Sequence, residues 1–354
     1  MQRVIGLDLG GANLKAALEN GPGRSLAFAL WKHPEQLADK LRELLLDWLP
    51  CQLIAVTMTA ELADCFQTKA EGVDRILRAV EDIAGDAEIV VWQTFGEFVA
   101  PDIAREFPLL TAAANWHVLA TFLGRLAPDA GALLIDVGST TTDIIPLMNG
   151  LPAPLGQTDG ERLLSGELIY SGIRRTPLCA LAESVPFRGQ RSRLAAELFA
   201  TTQDIYLLSG ELPEDPTDCE TANSRPATRE CAYDRITRML CSDRTEVTFA
   251  EAVAIAEHLA DVQAGRLEAA VNEVLRRMSA ECQNVVVSGS GSRLAERVVA
   301  GHELLSKCAL VRLSEVFSPD VSEAACAFAV ARLAVERELE WLGSKDWLNV
   351  GQNP

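Results

Sequence analysis

The chain has 354 residues, of which 48% are hydrophobic and 23% charged, so it is long enough to be divided into two domains, because single cores rarely grow beyond about 250–300 residues. Its formal charge of −18 argues against a nucleic-acid partner, since phosphate backbones are bound by basic stripes. The nine cysteines lack CxxC spacing, and no run approaches the ~18 apolar residues of a membrane span. We therefore expect a cytoplasmic protein with reduced thiols and no membrane partner.

Hydrophobic periodicity predicts a β-β-β-α-β-α-β order in the first third of the chain. The predicted strands cover residues 3–8, 14–19, 25–31, 53–58 and 88–92. The predicted helices have apolar residues at a 3.6-residue period within residues 37–48 and 73–83. A helix over residues 112–126 follows, then a strand that ends at Asp136 and a return strand over residues 142–148.

Residues 151–247 are irregular and contain Pro-rich and charged stretches, which is typical of an elaborated segment that carries specificity. Beyond it, the pattern predicts a helix over residues 249–278 and a strand over residues 284–287. This strand opens into a Gly/Ser loop, and a helix of small residues is predicted over residues 321–335.

Two aspartates, Asp8 and Asp136, each end an apolar strand and precede a Gly-rich or hydroxyl-rich reversal. Such turns expose backbone N–H groups to phosphate oxygens, and a carboxylate there can bind Mg²⁺. An Asp can also simply hydrogen-bond its own turn, but two at matching strand ends favour function. The predicted phosphate donors are Gly10, Gly11, Asn13, Gly138, Ser139, Thr140 and Thr141. Lys15 is either a point charge on phosphate or a solvated side chain.

Together these features resemble the actin-like ATPase superfamily of sugar kinases, Hsp70 and actin. The resemblance implies an α/β fold of two ribonuclease-H-like lobes with a central cleft. It implies a first lobe over residues 1–127, onto which residues 321–345 pack back, and a second lobe over residues 128–320 with an elaborated substrate segment at 151–247. Ser288, Gly289, Ser290 and Gly291 match the nucleotide loop of that superfamily.

A narrower resemblance is to the hydantoinase/oxoprolinase-like proteins of tetrahydromethanopterin-linked one-carbon metabolism. The stretches that carry it are residues 6–15, 57–66, 158–162 and 165–177. That family includes the methanofuran-pathway furanylmethanamine synthase. The resemblance implies a transferase for which a small-molecule diphosphate and an amine or phenol are the partners. A tyramine phenol oxygen would attack a furan methylene carbon, and diphosphate would leave.

The condensation needs a base, because an unperturbed phenol has a pKa near ~10. The carboxylates in the family-like motifs are Glu61, Asp64, Asp159, Glu161 and Glu167. Asp159 and Glu61 are the favoured candidates, and the sequence does not choose between them. Helix capping explains Glu161 and Glu167 at least as well.

Three further residues have both a functional and a structural explanation. Arg174 and Arg175 follow a Tyr-Ser-Gly turn and could bind a diphosphate or a glutamyl carboxylate, although surface arginines are common. Cys65 lies in a family-like Asp-Cys-Phe stretch, where a buried thiol is commoner than a nucleophile.

The expected cofactor is Mg²⁺, whereas the sequence argues against ATP without excluding it. Hairpins with Asp-bound Mg²⁺ suit either ATP or a diphosphate, but serines interrupt residues 288–291, where many superfamily kinases have a continuous glycine run. The alternative functions are an ATP-dependent small-molecule kinase, a hydantoinase/oxoprolinase-type amidohydrolase, and a nucleotide-gated binding protein of actin or chaperone type. The sequence also leaves homo-oligomerisation open.

Overall fold

The fold is described from a computed structural model that covers residues 3–128 and 131–348, with side chains up to Arg337. Contacts divide the chain into two units. Unit 1 comprises Met1–Ala132, Ile145–Arg162 and Leu313–Pro354, and unit 2 comprises Leu133–Ile144 and Leu163–Arg312. The sequence-based division assigned residues 145–162 and 313–320 to the second lobe, whereas the contacts group both segments with unit 1. Residues 129 and 130, at the predicted lobe boundary, and the side chains of 338–345 lie outside the described part.

Both α-helices and β-strands occur throughout the described residues. The strands are β1 (Val4–Leu9), β2 (Asn13–Leu18), β3 (Gly23–Ala27), β4 (Leu53–Met58), β5 (Glu88–Trp92), β6 (Phe98–Val99), β7 (Gly131–Val137), β8 (Thr142–Met148), β9 (Leu151–Pro152), β10 (Leu168–Ile169), β11 (Ser184–Phe187), β12 (Gln190–Arg193), β13 (Cys282–Ser288) and β14 (Ala309–Arg312). The α-helices are α1 (Leu37–Leu45), α2 (Lys69–Ala84), α3 (Pro101–Glu106), α4 (Pro108–Thr111), α5 (Asn115–Leu123), α6 (Asp159–Ser165), α7 (Leu178–Leu181), α8 (Thr202–Ser209), α9 (Arg229–Arg238), α10 (Phe249–Arg277), α11 (Ser292–Gly301), α12 (Leu313–Val316), α13 (Pro319–Glu323) and α14 (Ala325–Leu348). Short 3₁₀ helices form at Pro34–Gln36, Gly124–Leu126 and Leu305–Lys307.

The sheet of unit 1 has the order β3-β2-β1-β4-β5-β6. Strand β1 pairs antiparallel with β2 and parallel with β4, and all residues of β1 and β4 are buried. Strands apolar on both faces are expected where helices cover both faces of a sheet. Helix α14 packs against β1, β2 and β4. Gly6 is required there, because a Cβ at this position would lie 1.9 Å from the carbonyl oxygen of Ala327.

The second sheet has the order β10-β8-β7-β13-β14, with β9 paired to β8 off this path. Its main strands therefore follow the order third, second, first, fourth, fifth, and the first five strands of the unit 1 sheet follow the same order. This repeated arrangement is that of a ribonuclease-H-like sheet. The predicted fold class, α/β with two ribonuclease-H-like lobes, is confirmed by the two sheets.

Local structure differs from the sequence prediction in three places and adds detail in a fourth. The helix predicted over residues 321–335 is interrupted at Ala324, which lies between α13 and α14 and has non-helical backbone angles (φ −99°, ψ 31°). The helix predicted from residue 112 begins at Asn115, because Ala113 has a left-handed backbone conformation with φ of 49°. The strand predicted to reach residue 31 ends at Ala27. The elaborated segment contains α6 to α9 and the β11–β12 hairpin, and much of it shares one apolar core with α10. No helix of residues 3–128 and 131–348 combines the length and apolar character that crossing a bilayer requires.

Candidate functional site

Two buried polar residues are paired in register on the neighbouring strands β1 and β4. Asp8 is paired in register with Lys15 of β2 and with Thr57 of β4. Asp8 is 7% exposed, and Thr57 is fully buried. Within the described residues, Asp8 Oδ1 and Thr57 Oγ1 have no hydrogen-bond partner. Because buried polar atoms are normally satisfied, the two oxygens indicate a ligand, ion or water at this strand end.

Burial also changes the acidity of this site. It raises the pKa of Asp8 above its ordinary value, and the nearby Lys15 charge acts in the opposite direction. Burial disfavours the ionised form of a carboxyl group, while a cation favours it. A bound divalent cation would therefore favour the ionised form of Asp8, as Lys15 already does.

The two glycines of the first turn have different surroundings. The Gly10 N–H donates to the carbonyl oxygen of Asn13 at 3.0 Å, and a Cβ at Gly10 would lie 2.9 Å from that oxygen. Nothing among the described atoms lies within 4 Å of a Cβ built at Gly11. Gly10 therefore closes the turn, whereas Gly11 borders open space that an anion could approach.

The second hairpin is held by the segment that carries the two predicted arginines. Its turn closes through the Gly138 N–H, which donates to the carbonyl oxygen of Thr141 at 2.9 Å. The backbone N–H groups of Arg174 and Arg175 both donate to the carbonyl oxygen of Ser139 at 3.0 Å. Gly172 permits this approach, because a Cβ there would lie 2.6 Å from the Gly138 oxygen. The structure thus brings Arg174 and Arg175 to the predicted phosphate hairpin, where Ser139, Thr140 and Thr141 are partly exposed.

The predicted nucleotide loop packs directly onto the end of the Asp136 strand. Gly289 has φ of +86°, and a Cβ there would lie 2.2 Å from the Val137 carbonyl oxygen and 2.6 Å from Asp136 Oδ1. The Gly291 N–H donates to the same Val137 oxygen at 2.8 Å. Ser288 is buried, whereas Ser290 is exposed. The close packing against Val137 and Asp136 therefore explains the glycines at 289 and 291 without a bound nucleotide.

Glu61 is a buried carboxylate with a strongly raised pKa. It is 1% exposed, and its Oε2 has no hydrogen-bond partner in the described part of the chain. Burial raises the pKa of Glu61 to about 7, and the charge of Asp159 also raises it. Hydrogen bonds from the backbone of Glu61 itself and of Ala113, together with the charge of Lys69, lower the pKa and offset part of this rise. The structure therefore brings the two favoured bases, Glu61 and Asp159, into electrostatic contact within unit 1.

Two backbone features position Glu61. A Cβ at Gly72 would lie 2.2 Å from the Glu61 carbonyl oxygen, so only glycine lets α2 pack this closely. The backbone of Ala113, which hydrogen-bonds the Glu61 carboxyl group, is in the left-handed region. Non-glycine residues in that region are uncommon and cluster at functional sites.

Arg162 is a buried cation beside this pair that the sequence interpretation missed. Its side chain is 1% exposed, its Nη1 lies 3.6 Å from Asp159 Oδ1, and its guanidinium carbon lies 4.0 Å from the centre of the Trp116 ring. Asp159 and Arg162 are three residues apart on α6, and this i,i+3 spacing is the signal that could have identified the pair. Buried arginines are rare unless paired, so Arg162 belongs to the same cluster as Asp159.

The other predicted carboxylates and Cys65 have local structural roles or exposed positions. Glu161 Oε2 accepts from the backbone N–H groups of Gln157 and Thr158 at 2.9 and 3.0 Å, which caps α6 and lowers the pKa of Glu161. Glu167 accepts from Ser165 Oγ at 2.9 Å, and Asp64 is exposed. Burial raises the pKa of the Cys65 thiol, which disfavours the nucleophilic thiolate.

Asp8 is the type of oxygen ligand that a magnesium ion takes. In residues 3–128 and 131–337, no three His, Cys, Asp or Glu side chains are grouped closely enough to hold a metal ion by themselves. Mg²⁺ usually takes one or two protein carboxylates and completes its shell with phosphate oxygens and water. The buried Asp8 Oδ1, which lacks a partner in the described residues, is the kind of single oxygen ligand that such binding uses.

Two like-ordered sheets, each with an aspartate and a reversal at the end of its first strand, define a protein with the duplicated fold of the actin-like ATPase superfamily. The chain belongs to the hydantoinase/oxoprolinase family, whose family model matches residues 52–337.

Two relatives carry the same name, (4-{4-[2-(gamma-L-glutamylamino)ethyl]phenoxymethyl}furan-2-yl)methanamine synthase. The protein from Methanocaldococcus jannaschii is 32% identical over 340 residues, which are 95% of this chain and 98% of the relative. The protein from Methanococcus vannielii is 31% identical over 205 residues, 58% of this chain and 91% of the relative. Among solved structures, the activator of the 2-hydroxyisocaproyl-CoA dehydratase from Clostridium difficile, with bound ADPNP, aligns at 11% identity over 100% of this chain and 99% of that chain, with a TM-score of 0.45.

Proposed function

We propose that this chain is a transferase of methanofuran-type cofactor biosynthesis, which serves tetrahydromethanopterin-linked one-carbon metabolism. It would condense a furanmethyl diphosphate with the phenol of γ-glutamyltyramine and release diphosphate. The observation that carries this proposal is the 32% identity to a named synthase over 95% of this chain. The product in that relative's name contains a phenoxymethyl-furan ether, and this ether is the bond that the proposed condensation makes.

In the proposed reaction, the phenol oxygen forms a bond to the furan methylene carbon. The bond between that carbon and the diphosphate oxygen breaks, and its electron pair leaves with the diphosphate. The phenol proton goes to a protein base. The proposal assigns the phenol proton to a carboxylate base and the diphosphate to the two hairpins.

Glu61 is the base in this proposal. A general base works best when its pKa is near the operating pH, and burial raises the pKa of Glu61 to about 7. The neighbouring charge of Asp159 contributes to this rise, so Asp159 tunes the base, and Arg162 holds Asp159. The buried surroundings also keep water from competing for the proton.

The hairpins bind the diphosphate in this proposal. The Gly11 N–H would donate to its oxygens, as would Asn13, Ser139, Thr140 and Thr141, with Lys15 as an added charge. The N–H groups of Gly10 and Gly138, which the sequence also suggested as donors, instead close their own turns by donating to the carbonyl oxygens of Asn13 and Thr141. Asp8 and Asp136 would hold Mg²⁺, which supplies positive charge for the departing diphosphate. The proposed reaction neither consumes nor produces ATP.

The direct test is to incubate the protein with Mg²⁺, furanmethyl diphosphate and γ-glutamyltyramine, and to measure the ether by mass spectrometry and the released diphosphate. One diphosphate per ether is expected without ATP. Glu61→Gln should abolish most turnover, whereas Asp64→Asn, an exposed carboxylate three residues away, is the matched control. A protein that forms no ether and instead hydrolyses ATP would refute the proposal and favour a kinase or an ATP-dependent amidohydrolase.

A further inference from the structure

An accessible ion pair lies beside the second phosphate hairpin. Arg174 Nη2 is 3.0 Å from Asp218 Oδ2, and the two side chains are 44% and 16% exposed. The backbone N–H of Arg174 donates to the Ser139 carbonyl oxygen of the hairpin, and its carbonyl oxygen accepts from the Gln203 N–H at 3.3 Å. The backbone of Arg174 is therefore fixed on both sides, while its guanidinium group faces solvent.

Asp218 is held in place by groups other than Arg174. Its Oδ2 accepts from Gln203 Nε2 at 3.3 Å, and its Oδ1 accepts from the Glu220 N–H at 2.9 Å. The loop that carries it is closed where the Ala227 N–H donates to the Asp218 carbonyl oxygen at 2.8 Å. Asp218 can therefore keep its position when Arg174 exchanges partners.

A fully buried ion pair anchors this loop to α8. Arg235 and Asp204 are 0% and 1% exposed, with Nε and Oδ1 2.7 Å apart. Arg235 Nη1 also donates to Asn223 Oδ1 at 3.2 Å and to the Pro226 carbonyl oxygen at 3.4 Å, both in the loop. Burying an ion pair adds little net stability, because desolvation offsets the attraction. Its effect here is to fix the position of the loop. Gln203 and Asp204 are both on α8, so the Arg235–Asp204 pair holds the loop next to Gln203.

Arg174 and Asp218 have opposite charges at a fixed spacing, and their partial exposure makes the exchange of partners cheap. A diphosphate suits this pair poorly, because the Asp218 carboxylate would repel it. An α-amino acid end suits it well. A carboxylate can accept two hydrogen bonds from a guanidinium group, and an ammonium group can donate to Asp218.

We propose that Arg174 and Asp218 bind the α-carboxylate and the α-ammonium of the γ-glutamyl group of the acceptor substrate. This inference rests on the proposed function, in which γ-glutamyltyramine is the acceptor. In this inference the elaborated segment recognises the glutamyl group, and Arg174 and Asp218 are specificity-determining residues for that substrate. Asp204 and Arg235 are positioning residues for the loop.

The test uses three acceptors that differ by one group each. Glutaryltyramine lacks only the α-ammonium, and 4-aminobutanoyltyramine lacks only the α-carboxylate. The wild-type protein should prefer γ-glutamyltyramine to each in kcat/KM by about 10–100-fold, the range for a hydrogen bond to a charged group. Asp218→Asn should remove most of the preference over glutaryltyramine, and Arg174→Gln most of the preference over 4-aminobutanoyltyramine. Arg193→Gln, at an exposed arginine of β12, is the control and should keep both preferences.

Each variant is judged by the ratio between two acceptors, so a general loss of folded protein cancels. Preferences that survive in both Asp218→Asn and Arg174→Gln would overturn the inference. So would an Arg174→Gln variant that raises KM for the furanmethyl diphosphate instead of changing the acceptor ratio, because Arg174 would then bind phosphate. A wild-type protein that forms no ether from any acceptor would refute the proposed function itself, and the inference with it.

Discussion

The raised pKa of Glu61 predicts that Glu61→Gln gives a more stable and less active protein. The pKa of this carboxyl group is about 7 in the folded chain, against an ordinary value of 4.5. At about 1.4 kcal/mol per pKa unit, ionised Glu61 costs the folded protein about 3 kcal/mol at high pH. The cost is absent below pH 4.5, grows between pH 4.5 and 7, and is constant above pH 7.

The assay is the free energy of unfolding of both proteins as a function of pH, from urea titrations followed by circular dichroism. Because glutamine cannot ionise, Glu61→Gln should match the wild type near pH 4 and exceed it by about 3 kcal/mol at pH 8. In thermal melts the gain at pH 8 should be on the order of 5–10 °C. Ether formation by the same variant should fall to a few per cent or less, since general-base catalysis contributes about 10²–10⁴-fold.

A stability difference that is the same at pH 4 and pH 8 would refute this reasoning, because it would show that the carboxyl group does not titrate abnormally. Full activity of Glu61→Gln would instead exclude Glu61 as the base and leave Asp159. The control variant Asp64→Asn changes an exposed carboxylate and should leave the stability profile unchanged.

Three further predictions concern the two hairpins and the loop after β13 that packs against β7. Asp8→Asn and Asp136→Asn should each lower kcat for ether formation by about 10²–10³-fold, the loss typical of a preorganised electrostatic group, and an undiminished rate in either would remove that carboxylate from the site. Gly289→Ala should lower the free energy of unfolding by about 2–4 kcal/mol in urea titrations, because its φ is positive and its Cβ would overlap the Val137 carbonyl oxygen. The control is Gly265→Ala on α10, where a Cβ meets nothing among the described atoms within 4 Å, and it should raise the free energy of unfolding by up to about 1 kcal/mol. Equal effects of the two substitutions would contradict the packing argument. In thermal shift assays Mg²⁺ with diphosphate should raise the Tm, since a ligand of the native state stabilises it by mass action, whereas a shift with Mg²⁺-ATP alone would favour a nucleotide enzyme.

The sequence predicted what depends on local pattern. Alternation and 3.6-residue periods located the strands on either side of the Asp8 turn and the amphipathic helices. The chain length predicted two domains, and the resemblance to the actin-like ATPase superfamily implied that both are ribonuclease-H-like lobes. It narrowed the base to Glu61 and Asp159 but could not choose, because the pKa of Glu61 depends on burial by residues distant in sequence. The left-handed Ala113 was invisible for the same reason: alanine favours helix, and only its tertiary surroundings override that preference.

The placement of Arg162 beside Trp116 likewise required the structure, because the two residues are 46 positions apart in the printed sequence. The i,i+3 pairing of Arg162 with Asp159 was readable from the helix spacing, but nothing in that pattern shows that the arginine is buried. Lys15 remains a predicted phosphate ligand, and the structure adds that its charge already lowers the pKa of Asp8 against the effect of burial.

The pKa shifts of His117 and Glu61 change stability with pH in opposite directions, so variants of the two residues test both assignments. Burial, with the charges of Arg162 and Arg337, lowers the pKa of His117 from 6.5 to about 4. Its Nδ1 can therefore accept the hydrogen bond that Trp92 Nε1 donates at 3.3 Å. His117 thus costs stability as the pH falls from 6.5 to 4, whereas Glu61 costs stability as the pH rises from 4.5 to 7.

Between pH 4.5 and 6.5 the two slopes are equal and opposite, about 1.4 kcal/mol per pH unit each, so their sum in the wild type is close to zero. Asp204, whose pKa burial raises to about 6, also titrates in this window, so the slopes are compared with that of the wild type. Glu61→Gln should make the slope of stability against pH more positive than in the wild type, and His117→Gln should make it more negative. The double variant should have the same slope as the wild type in this window. Single variants whose slopes change in the same direction would show that at least one of the two buried groups has been assigned the wrong charge state.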